Sequence, residues 1–121
     1  MKKSDALWEK IYNNTNAPRQ LLVEYVKELA SEAKQLPIDE REARGDYADS
    51  SKKFPQTRGE EIANAINYAL SMQDWIDYET ADDLEEVGEI AGNLEISPDK
   101  HKLWQELFAK VDELQDHNYT Q

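Results

Sequence analysis

The chain has 121 residues with no cysteine, four glycines and four prolines, and its 26 acidic residues outnumber 14 lysines and arginines for a formal net charge of −12. That length fits one domain able to bury about two thirds of its unfolded surface, and the absence of cysteine excludes disulfide scaffolds, thiolate nucleophiles and Cys-based metal sites. No repeat, low-complexity run or long apolar segment occurs, so linker and membrane-spanning proteins are excluded and a cytoplasmic home is expected.

Met1-Lys2-Lys3 is basic as a signal peptide is, but Trp8-Glu9-Lys10 interrupts it before any apolar run. Apolar residues recur at helical spacing and strand-like alternation is nearly absent. This predicts an all-α compact bundle of about five helices forming a single domain over residues 1–121. Helix one should be capped by Ser4, bury Leu7, Trp8, Ile11 and Tyr12, and end at Asn13-Asn14-Thr15-Asn16. Helix two is predicted from about Pro18 to Gln35, with Leu22, Tyr25, Val26, Leu29, Ala33 and Leu36 on one side and Pro37 as its stop.

A long loop, 37–57, follows. Within it Asp39-Glu40-Arg41-Glu42 has capping-box spacing for a short helical turn up to Gly45. Arg41, Arg44, Lys52, Lys53, Tyr47 and Phe54 fit either a recognition loop, partly ordered around Tyr47 and Phe54, or a disordered segment.

Helix three opens with the capping box Thr57-Arg58-Gly59-Glu60 and is expected to run through Ile62, Ile66, Ala69, Gln73 and Ile76. After a tight turn Thr80 caps helix four, which turns Leu84, Val87, Ile90, Ala91 and Leu94 inward and is weakened or ended by Gly92. Ser97-Pro98 supplies the cap and first position of helix five, whose stripe is Leu103, Trp104, Leu107, Phe108, Val111 and Leu114; the tail 117–121 should fray.

The charge is not evenly spread. From Gly59 to Asp99, 41 residues hold twelve carboxylates and no Lys or Arg, while the rest of the chain balances 14 acids with 14 bases. On helix four Asp82, Glu85 and Glu89 point away from Val87 with Glu86 beside them. The pairs Asp82/Glu86 and Glu85/Glu89 are like charges four residues apart, each costing about 0.2–0.5 kcal/mol. Asp74-Trp75-Ile76-Asp77-Tyr78-Glu79 interleaves acids with aromatics, as interface anchors flanked by steering charges do. Trp75 is expected in the core and Tyr78 near the rim. The candidate partner-binding set is therefore Asp74, Asp77, Tyr78, Glu79, Asp82, Glu85, Glu86 and Glu89.

No catalytic constellation or cofactor is implied. His101 and His117 lack a serine partner pattern, and Gly45, Gly59, Gly88 and Gly92 form no phosphate-cradling loop. An acidic surface repels phosphates, so direct nucleic-acid binding is not expected. Glu85-Glu86-Val87-Gly88-Glu89 with Glu113-Leu114-Gln115-Asp116 resembles the EExxE and ExxD motifs of the MazG-type all-α nucleoside triphosphate pyrophosphatases. That resemblance, confined to residues 85–116, implies magnesium held by Glu85, Glu86, Glu89, Glu113 and Asp116, with the metal activating a water. The charge distribution itself points to a stoichiometric binder of a basic protein, since acidic faces accelerate association with cationic partners. In type, though through no motif, the chain is similar to small acidic bacterial immunity proteins, antitoxins that block toxin nuclease domains. An acidic adaptor whose carboxylates only maintain solubility is the plainer alternative.

Overall fold

The structure, a computed structural model, describes residues 3–12, 19–42, 57–72, 82–97 and 99–114. Six helices are present and no strand occurs among the described residues: α1 (Lys3–Tyr12), α2 (Arg19–Gln35), α3 (Ile38–Arg41), α4 (Arg58–Ser71), α5 (Asp82–Ile96) and α6 (Lys100–Glu113). The fold is the expected all-α bundle. The count exceeds five because the short turn anticipated after Pro37 is a helix of four residues, with Pro37 both ending α2 and preceding α3. Residues 43–56, with Tyr47 and Phe54, lie outside the described residues, as does the tail 117–121.

One apolar core joins the elements. Leu7 and Ile11 from α1, Leu22, Val26 and Leu29 from α2, Ile66 and Ala69 from α4, Leu84, Val87 and Leu94 from α5, and Trp104 and Leu107 from α6 are all buried in it. Each such aliphatic side chain contributes about 1.5–3 kcal/mol by leaving water. Helix α4 occupies the middle, packed chiefly on α5 and also on α2, while α6 closes the bundle against α5 and α2 and α1 lies along α2.

Helix ends follow their side chains, with exceptions. Thr57 caps α4 by accepting from the Glu60 backbone N–H at 3.1 Å. The Glu60 carboxylate is buried and pairs with Lys100 Nζ at 3.2 Å. Ser97 accepts from the Asp99 N–H at 3.1 Å, but it is not the cap of α6: the N-cap is Asp99, without a side-chain cap bond, and the helix starts at Lys100, two residues later than Ser97-Pro98 predicted. Ser4 is not a cap: α1 already begins at Lys3, and the buried Ser4 hydroxyl donates to Glu32 at 2.5 Å, tying α1 to α2. Tyr12, expected inside, is 60% exposed because it lies at the last position of α1. Gly92 does not end α5, which runs on to Ile96 with Gly92 set against Asn67 of α4, and Gly88 lies against Leu70. Helix α4 stops at Ser71, short of the expected Ile76, with the Met72 N–H bonded to the Tyr68 carbonyl.

At the α3/α4 junction Gly59 is required. A Cβ there would lie 2.0 Å from the Arg41 carbonyl oxygen, so only hydrogen allows this approach. Arg41, expected in the short turn of a segment fit for either recognition or disorder, is helical and is buried over the Phe108 ring, 5.3 Å from its centroid.

Candidate functional site

Helix α5 carries the part of the candidate surface that is described. Its Leu84, Val87, Ala91 and Leu94 are buried, so Glu85, Glu86 and Glu89 are turned to the exposed side, in line with Asn93 and the 59% exposed Ile96. Among the described residues nothing pairs with Glu85 or Glu89. Glu86 differs: its carboxylate accepts from Lys110 Nζ of α6 at 2.7 Å. The same ammonium lies 3.8 Å from Glu113, one turn along α6. The hydrogen bond and charge of Glu86, with Glu113 adding to them, raise the Lys110 pKa. The sequence-based view that no base offsets this stripe is thus corrected at Glu86, because the offsetting lysine comes from a neighbouring helix.

The acid-rich third is sorted further by burial. Glu60 is buried against Lys100, whose ammonium also donates to the Leu94 carbonyl. Glu95 is buried beside them with its Oε1 unbonded. Burial pushes the Glu95 carboxyl above its usual range; the Lys100 charge opposes this and Glu60 adds to it. These two carboxylates are therefore interior groups, removed from any outward face. Glu61 and Asp99 are exposed. Asp74, Asp77, Tyr78 and Glu79 lie outside the described residues, as do Trp75 and the expected Thr80 cap, and of Asp82 only the backbone is described.

The set implied by the pyrophosphatase-like motifs is assembled only in part. Glu86 and Glu113 converge from α5 and α6, but on the Lys110 ammonium, and no group of three acidic or histidine side chains suited to a metal occurs among the described residues. Asp116 lies outside them.

Sequence reasoning missed an aromatic surface on the other side of α4. Trp8 stacks on Tyr25 with centroids 5.7 Å apart and touches Tyr12 at 5.8 Å and Tyr68 at 5.9 Å. Tyr68 is 53% exposed, and with Tyr12 it leaves two phenol rings flanking a half-buried indole. A phenol on the Asn67/Ser71 side of helix three, away from its apolar stripe, was the available signal.

Comparison of the chain with protein-family models, with curated proteins and with solved structures finds no match. No described helix is long and apolar enough to cross a membrane.

Proposed function

We propose that this protein is a stoichiometric inhibitor of a basic protein, acting as bacterial immunity proteins act on toxin nuclease domains. The observation supporting this is the exposed α5 stripe, where Glu85 and Glu89 have no described cationic partner and Glu86 has a single lysine. Unpaired carboxylates on a rigid helix keep their field directed into solvent, which raises the encounter rate with a cationic surface and makes it depend on ionic strength. On docking, Glu85 and Glu89 pair with Lys or Arg lining the partner's substrate cleft, and Glu86 exchanges Lys110 for a partner cation. Asp74, Asp77, Tyr78, Glu79 and Asp82 belong to the same proposed interface by their sequence neighbourhood.

The test is capture of a basic protein from the native host, followed by binding of the purified pair at rising salt. The inhibitor reading expects the association rate to fall steeply with salt and the partner's nuclease activity to be titrated to zero at one equivalent. An affinity indifferent to salt, or an Glu85→Gln/Glu89→Gln variant binding as the parent does, refutes it.

A further inference from the structure

A second recognition site lies where α1, α2 and α4 meet. A half-open cleft of about 130 Å³ is lined there by Ser4 and Asp5 of α1, Tyr25 and Glu32 of α2, and Arg58 and Glu61 of α4. Three carboxylates face one guanidinium, so the cleft carries net negative charge. An acidic cluster alone would signify nothing, but Tyr25 adds an independent observation. Its side chain is only 5% exposed, it lines the cleft, and its hydroxyl makes no hydrogen bond to any described residue. Burial, then the charges of Glu32 and Asp5, push the Tyr25 pKa up to about 12. The phenol therefore stays neutral, with its oxygen available to accept from a donor entering between the carboxylates.

The phenol oxygen of a largely buried tyrosine and several carboxylates around one opening suit a planar, multiply donating cation better than a compact ammonium. The same Tyr25 ring stacks on Trp8, which carries the cleft's edge into the exposed rings of Tyr12 and Tyr68. Tyrosine and tryptophan rings bordering a charged socket are characteristic of protein interfaces. We propose that the α1/α2/α4 cleft receives an arginine side chain of a partner protein, with Asp5, Glu61 and the Tyr25 hydroxyl engaging the guanidinium and Trp8, Tyr12 and Tyr68 covering the residues that flank it. Ser4 holds Glu32 in place at the floor through its 2.5 Å bond. The site shares no residue with the α5 stripe and does not rest on the reading of that stripe.

The test is NMR titration of the full chain with Nα-acetyl-arginine amide, its lysine counterpart, and the tripeptide acetyl-Leu-Arg-Leu-amide. Saturable shifts are expected at Ser4, Asp5, Tyr25 and Glu61, with the arginine compound binding at least about fivefold tighter than the lysine one. Glu61→Gln, on an exposed side chain that folding does not need, should weaken binding about threefold or more, and Tyr25→Phe likewise, while Glu85→Gln/Glu89→Gln leaves it unchanged. The tripeptide should bind about threefold tighter than the single residue, and Tyr68→Ala should abolish that gain. Equal affinity for arginine and lysine, unsaturable shifts spread over the acidic surface, or a Glu61→Gln titration matching the parent would overturn the socket. A tripeptide no tighter than the blocked amino acid, or a gain surviving Tyr68→Ala, would overturn the assignment to a protein partner.

Discussion

The indole Nε1–H of Trp104 donates to the carbonyl oxygen of Arg41 at 3.0 Å, joining residues 63 positions apart inside the core. That carbonyl is the one against which Gly59 is pressed, so α3, α4 and α6 meet at a single oxygen. Replacing Trp104 by Phe keeps an aromatic ring but leaves the buried carbonyl without its donor, and should destabilise the fold by about 1–3 kcal/mol in urea unfolding. Gly59→Ala should also destabilise, since the clash is with backbone and α3 must move away to relieve it; loss of the Trp104 near-ultraviolet signal would report that movement.

The Glu60–Lys100 pair is 1% and 4% exposed in its side chains and spans 40 residues. Lys100→Met should cost about 3–5 kcal/mol, because it leaves a carboxylate buried without its cation. The double variant Glu60→Leu/Lys100→Met should recover most of that loss or exceed the parent's stability. Chemical denaturation of the two variants beside the parent checks the prediction, and an additive double variant would refute it.

Two carboxyls give opposite contributions to acid stability. Partial burial alone would raise the Glu42 pKa, but hydrogen bonds and charge from Arg41 and His101 outweigh it and hold the carboxyl below its usual value. A folded-state pKa below the unfolded one supplies stability that is present above the unfolded pKa and is lost as pH falls through the folded pKa. Glu42→Gln should therefore be less stable than the parent at pH 7, the difference closing below about pH 4. Glu95 is shifted upward, so its contribution is fully present below its unfolded pKa and is lost as pH rises through the folded one. Glu95→Gln should be more stable than the parent at pH 7 and should lose that advantage in acid. Thermal unfolding from pH 3 to pH 8 reads both differences.

Glu85→Gln/Glu89→Gln removes one like-charge pair from an exposed helix face, and should leave stability unchanged or raise it by about 0.2–0.5 kcal/mol. The parent and variant should converge at high salt, where the repulsion is screened. A marked loss of stability would show that these carboxylates hold the fold together.

The main helices were legible because local rules determine them: the α2 and α6 stripes, the Thr57 cap and the Pro37 stop are properties of neighbouring residues. Outward display of Glu85 and Glu89 followed from the spacing of Leu84, Val87 and Ala91. What escaped sequence reasoning is non-local. No periodicity announces that Lys100 will neutralise Glu60, or that Lys110 will reach Glu86 from another helix. Ser4 was misread for the related reason that a serine near a helix start serves equally as cap or as a tether to Glu32. The Trp8/Tyr68 contact depends on α1, packed on α2, being brought beside α4, which neither helix specifies alone.

The contact between Gly59 and the Arg41 carbonyl has an architectural consequence. Arg41 and Gly59 lie against each other near the two ends of the connection between α3 and α4, so those ends are held close together by the fold. The length of that connection is then thermodynamically cheap, because doubling it adds only about 0.6 kcal/mol of closure entropy. Lengthening the connection between Glu42 and Thr57 by a few residues should therefore change stability little, as thermal unfolding of such a variant would read.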